Sequence, residues 1–192
     1  MREVIYYVAT SLDGFIARAD GSLDGFTWGD EFGAHLLEKY PETLPPPLRG
    51  GDPTRSDNQC FDSVLMGRKT YEVGLQEGIN SPYPTLDQIV FSRTLDTASD
   101  SPIQLVRGGA ANTVRALKKE AGKAIWLCGG GELGGLLFGE KLIDRLILKV
   151  NPVLFGTGVP LLNAPMDQAN LVLQDHHAFQ SGHMILHYRV NR

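Results

Sequence analysis

At residues 124 to 138 the chain reads AIWLCGGGELGGLLF, an apolar run of strand character that stops at three consecutive glycines, Gly129 to Gly131, before an apolar helical pattern begins. This junction constrains the fold more than any other stretch. A strand that turns at once into a helix over bare backbone belongs to α/β architectures, in which helices cross over between parallel strands.

The rest of the chain repeats the alternation. EVIYYVAT is aromatic and β-branched with little polar alternation, the pattern of a strand covered on both faces. FDSVLMG, DQIVFS, IQLVR, AIWLC and LIDRLILKVNPVLF supply further strands, and GDEFGAHLLEKY, RKTYEVGLQ, GAANTVRALKKEAG and ELGGLLFGEK supply helices. In the third helix Ala111, Val114, Ala116 and Leu117 lie on or near the inner face, and Gly122 closes it. NLVLQDHHAFQ and HMILHYRV, joined by SGH, form an antiparallel hairpin. The expected fold is a single α/β domain over residues 1 to 192, with a mostly parallel central sheet flanked by helices and a C-terminal hairpin. PETLPPPLRGGDPTRSDNQ, residues 41 to 59, is too rich in proline, glycine and charge for either periodic element. It reads as an insertion: a lid, a binding loop or a disordered segment.

A net charge of −4 argues against a surface built to neutralise many phosphates, so no nucleic-acid partner is expected. Cys60 and Cys128 lie in or beside apolar runs without metal-ligand spacing and read as small hydrophobes in a reducing cytosol. His176, His177, His183 and His187 share the hairpin without a carboxylate or cysteine to complete a metal set, so no metal is expected. MREVIYYVAT lacks the apolar core of a signal peptide, and no apolar run approaches 18 residues. A soluble, cytoplasmic protein without a membrane partner is the expectation. The apolar alternation of the hairpin suits an edge covered by a second copy, hence a homodimer.

Gly129, Gly131 and Gly134 satisfy G-x-G-x-x-G between a strand and a helix, where bare backbone and unpaired N–H groups accept a pyrophosphate. A dinucleotide unit of the Rossmann kind places an acidic residue about 20 positions on. Lys149 and Asn151 stand there instead. Alone, then, the glycines fit either a phosphate or a tight turn. Two more junctions favour the phosphate. In LMGRKTYE, Gly67 precedes Arg68, Lys69 and Thr70 at a helix start, where cations oppose the macrodipole unless an anion is present. In VFSRTL, Ser92 and Arg93 set a hydroxyl beside a guanidinium. In a parallel sheet all three junctions share the carboxyl edge, the ligand edge of α/β proteins.

VATSLDGFIA, LMGRKTYE, IVFSRTL, WLCGGGELGGLLF, LIDRLILKVNPVLFGTGVPLL and the closing hairpin together resemble the dihydrofolate reductase superfamily. The nearest likeness is the branch shared with the reductase domain of bifunctional riboflavin-biosynthesis deaminase-reductases. It spans nearly the whole chain apart from residues 41 to 59. The resemblance implies an NADPH-dependent oxidoreductase acting on a small heterocyclic or carbonyl/imine substrate such as 5-amino-6-(5-phosphoribosylamino)uracil. By position it implies that Gly67, Arg68, Lys69 and Thr70 hold phosphates and that Ser92 and Arg93 take the adenosine 2′-phosphate. Gly129, Gly130 and Gly131, with Glu132 and Leu133 behind them, would form the pyrophosphate turn, two of the glycines being joined by a cis peptide bond in the family. Ala9 and Ile16 would wall the nicotinamide pocket, and the segment from Ser11 to Gly25 would be a mobile loop over the cofactor.

The substrate side is expected to draw on Asp13, Trp28, Tyr71, Tyr83 and Val153, the aromatics offering faces for a planar heterocycle. Folate-reducing enzymes carry an acid in the first long helix; Asp30 and Glu31 stand near that place but a turn early, so catalytic acid and helix-favouring charge are both open. Glu132 also replaces an arginine of the folate enzymes, which argues against dihydrofolate as substrate. A non-catalytic NADPH- or nucleotide-binding protein is the alternative from another class.

Overall fold

The sheet is built around β1 (Val4–Ser11), in which every residue except Ala9 is buried. The computed structural model describes residues 1–49, 58–96 and 101–191. β6 (Ala124–Gly129) and β7 (Arg145–Asn151) pair with β1 on either side, both parallel to it. β3 (Phe61–Gly67), β4 (Asp87–Phe91) and β5 (Gln104–Val106) continue the parallel part beyond β6. On the far side β10 (Met184–Asn191) runs antiparallel to β7 and to the outermost β9 (Asn170–Ala178). The order is β5-β4-β3-β6-β1-β7-β10-β9.

Both faces are covered, which is why β1 reads as one apolar run. The pleat sends Tyr7 into a core with Phe32, Leu36, Trp126 and Ile147, and its neighbour Tyr6 into an opposite core with Val114, Leu127, Leu133 and Leu137. The first core holds α1 (Asp30–Lys39); the second holds α3 (Ala110–Leu117) and α4 (Gly131–Gly139). α2 (Arg68–Gln76) follows β3 directly and sends Tyr71 into the first core.

Three local expectations change. The third helix stops at Leu117 and leaves Ala116 exposed, and the next residue, Lys118, is buried, pairing with Asp144 and donating to the Leu142 carbonyl at 3.1 Å. A second sheet of β2 (Phe15–Ala17) and β8 (Val159–Pro160) escaped sequence reading, since strands of two or three residues carry no periodicity. The start of the insertion is anchored: Glu42 is buried, and its Oε1 accepts the N–H groups of Cys60 (2.6 Å) and Phe61 (2.7 Å). Residues 50–57 of that stretch, and with them any lid they would form, lie outside the described residues. Among the described residues no helix is long and apolar enough to cross a membrane.

Candidate active site

β4, β3 and β6 are consecutive in the sheet and parallel, so the three glycine- or serine-bearing junctions end side by side on one edge. Gly67 caps α2 and Gly130 caps α4, and neither helix start has a side-chain cap. First-turn N–H groups with no capping acceptor are donors for an incoming anion. Thr70 ties the two starts together, its Oγ1 accepting the Gly130 N–H at 3.0 Å.

The glycines fall into two groups. Gly129 has φ +152°, a conformation that side-chain-bearing residues rarely adopt. A Cβ at Gly130 would meet only Thr70 Oγ1, at an ordinary 3.6 Å, so the space over the turn is open. Gly131, Gly134 and Gly135 answer to packing instead. A Cβ on them would run into the Pro160 carbonyl oxygen, the Tyr6 ring (3.0 Å) and Ala164 (2.7 Å), respectively. The peptide bonds here are all trans, unlike the cis bond implied by the resemblance; Gly129 (φ +152°) and Gly130 (φ −5°, ψ 154°) turn the chain by their dihedrals.

Of the cations, Arg68 and Lys69 are exposed, and Arg68 reaches Glu72 at 3.1 Å. Ser92 is buried, its Oγ accepting N–H groups from Thr94 (3.2 Å) and Leu95 (2.9 Å), which leaves the hydroxyl hydrogen for another acceptor. Arg93 is exposed beside it, and Arg107, just past β5, donates to the Arg93 carbonyl at 3.5 Å. Arg107 escaped sequence reading because only the β4–β5 pairing brings it here. Glu132 is exposed in the first turn of α4, whereas Leu133 is buried in the second core. Ile16 is buried, and Ala9 is half-buried opposite Lys149.

Next to the glycine turn, Tyr83, Cys128 and Lys149 are each surrounded by protein yet keep some contact with solvent, and they form a half-buried cluster. Tyr83 Oη and Cys128 Sγ are 3.7 Å apart. Lys149 Nζ stands 4.1 Å from the centre of the Tyr7 ring, a cation–π contact. Burial pushes the Cys128 thiol up to about 11 and the Tyr83 phenol well above its usual value, so both stay neutral. The same burial brings the Lys149 ammonium down to about 8.

The remaining substrate-side and acid candidates scatter. Tyr71 is a correction: its ring is buried and its hydroxyl donates to the Asn80 carbonyl at 2.8 Å, so it offers no stacking face. Trp28 is 52% exposed and packs edge-on against Phe32 at the start of α1. Asp13 is a loop clamp, accepting from Ser11 Oγ (2.6 Å) and from the N–H groups of Phe155 (3.1 Å) and Gly156 (2.7 Å). The Ser11 hydroxyl and those backbone donors hold its carboxyl below the usual range. Val153 accepts the Leu12 N–H at 2.8 Å, so the segment expected to close over the cofactor is tied to the exit of β7. Asp30 and Glu31 are both exposed on the first turn of α1, where a carboxylate favours the dipole.

Residues 2–186 match the family model described as the RibD C-terminal domain. Two Bacillus subtilis proteins are similar over nearly their whole lengths: YwjB, 34% identical over 97% of each chain, and YyaP, 27% identical over 99% of this chain and 96% of its own. Among solved structures, a putative riboflavin biosynthesis protein from a Shewanella species superposes over 100% of both chains with a TM-score of 0.72 and 23% identity. A pyrimidine reductase-like protein from Corynebacterium diphtheriae gives a TM-score of 0.63 at 14% identity, over 100% of this chain and 92% of its own. Enterococcus faecalis dihydrofolate reductase, solved with NADP(H), gives 0.61 at 14% identity over 99% and 97%. These three share the fold.

Proposed function

The chain belongs to the RibD C-terminal domain family, a reductase family of dihydrofolate-reductase-like fold, and on that premise we propose that it is an NADPH-dependent reductase of a riboflavin-precursor type of substrate. The observation that carries the cofactor reading is the Thr70 bridge, which joins two uncapped helix starts on neighbouring strands beside the Ser92–Arg93 turn. That arrangement fits a ligand with several phosphates, and the open space over Gly130 leaves room for it. Arg68, Lys69 and the helix starts would hold the pyrophosphate; Ser92, Arg93 and Arg107 would take a 2′-phosphate. When bound, the cofactor supplies a hydride from its nicotinamide. Ala9 and Ile16 would wall the pocket of that ring, Tyr83 would face the acceptor ring, and the loop clamped by Asp13 would limit water. An open-chain ribosylaminouracil phosphate, a C=N acceptor on a planar heterocycle with an anionic tail, matches these groups.

NADPH should bind at least ten times more tightly than NADH, since a charge-assisted bond to the extra phosphate contributes about 1.5–3 kcal/mol. Arg93→Ala should erase most of that difference and leave NADH binding alone. Titration by energy transfer from Trp126 to the nicotinamide measures both, and equal wild-type affinities would remove the 2′-phosphate assignment. A non-catalytic nucleotide-binding protein would bind NADPH without any fall in absorbance at 340 nm when the pyrimidine is added; dihydrofolate in its place tests the folate alternative. The same reading includes a homodimer through β9, an edge strand exposed at every residue, which sedimentation of the full chain checks.

A further inference from the structure

Lys149 is the unused group of the Tyr83–Cys128–Lys149 cluster. It lies two residues before the carboxyl end of β7, in register with Ala9 of β1 on one side and Ile185 of β10 on the other. Its ammonium sits over the Tyr7 ring and, among the described residues, forms no ion pair with any carboxylate. The one titratable group that acts on it electrostatically is Cys128 on β6, with Tyr83 beyond; on the Tyr7 side, Glu42 acts on Tyr7 and Tyr40, and Asp175 and Arg145 act on Tyr40 and His187 rather than on Lys149. A cation half-enclosed by apolar groups and left without a counter-ion is costly, and structural needs at this position would be met by an apolar side chain.

We infer that Lys149 is the proton donor of the reduction, facing the C=N or C=O group of the substrate from the half-buried cluster beside the glycine turn. This rests on the reductase reading above. As hydride from NADPH forms the new C–H bond, the π electron pair moves onto the imine nitrogen or carbonyl oxygen. That atom takes a proton from Lys149: one Nζ–H bond breaks, one N–H or O–H bond forms, and the neutral amine regains a proton from solvent. The substrate gains two electrons and NADPH becomes NADP⁺. The competitors are poorly suited. Cys128 and Tyr83 hold their protons too tightly, and Asp30 and Glu31 stand in open solvent. Lys149, brought down to about 8, is protonated at neutral pH and parts with its proton readily.

Two measurements test this. In cofactor-free protein, acylation of each lysine by acetic anhydride, followed by peptide mass spectrometry across pH, should give Lys149 a midpoint near pH 8, against 10.5 for an ordinary lysine. With NADPH and the ribosylaminouracil phosphate, wild-type kcat should fall as pH rises through about 8. Lys149→Met and Lys149→Arg should both lose about a hundredfold or more in kcat and that fall, with NADPH affinity unchanged; the arginine variant keeps the charge but cannot release the proton. An ordinary acylation midpoint, or wild-type kcat and pH profile in Lys149→Met, overturns the inference. The two readings fail separately. Absence of NADPH binding in wild type strikes the cofactor assignment, whereas intact binding with unchanged turnover in the variants strikes Lys149 alone.

Discussion

Gly131→Ala should destabilise the protein by about 3 kcal/mol, whereas Gly130→Ala should leave it folded and abolish NADPH binding. The contrast comes from what each new methyl group meets. At Gly131 it collides with the Pro160 carbonyl oxygen, a backbone atom fixed by the β2–β8 pairing, and crowds Asn163 Cβ at 3.2 Å. Neither can rotate away, and the Gly131 carbonyl is itself tied to the Asn163 N–H at 2.9 Å. At Gly130 the methyl group touches only Thr70 Oγ1 at 3.6 Å and otherwise points into the space that the phosphates would occupy. Urea denaturation and NADPH titration of the two variants separate the roles. A Gly130→Ala protein that binds NADPH normally would show that the whole glycine run serves packing.

That division also shows where sequence reading stops. The strand–glycine–helix junctions and the order of elements are local, written in composition changes over five to ten residues, and those features were legible. Which glycine faces a ligand and which faces the Tyr6 ring depends on helix phase and on a distant loop, so G-x-G-x-x-G alone could not sort them. Arg107 becomes part of the phosphate edge only through the pairing of β5 with β4, and Lys149 joins the Tyr83–Cys128 cluster only through the pairing of β7 with β1. In sequence, Lys149 looked merely like a missing acid. Tyr71 failed in the opposite direction: it follows a basic helix turn, which suggests a ligand, but the helix phase carries the ring into the core. Asp30 and Glu31 were ambiguous in sequence because a helix start needs acids whether or not it is catalytic. Their exposure on α1 favours the structural role.

Lys149→Met should make the protein more stable near neutral pH while removing turnover, and the gain should vanish in alkali. Burial brings Lys149 down to about 8 in the folded chain, from 10.5 for an unhindered lysine. Below pH 8 both folded and unfolded chains hold the proton, and the folded one bears the full burial cost. Between about 8 and 10.5 the folded chain has released a proton that the unfolded chain still binds, so wild-type stability climbs with pH relative to the variant. Above that window neither form is charged and the cost is gone. The full difference is about 3 kcal/mol; the cation–π contact with Tyr7 returns about 1 kcal/mol, and residual solvent contact lowers it further. A gain of about 1–2 kcal/mol at pH 7, shrinking to nothing by about pH 10.5, is the expected result in paired denaturation curves. A loss of stability in Lys149→Met at pH 7 would make the lysine a structural element of the Tyr7 core. A stable variant without turnover would instead mean that the chain keeps this charge against its own stability, as groups selected for chemistry are kept.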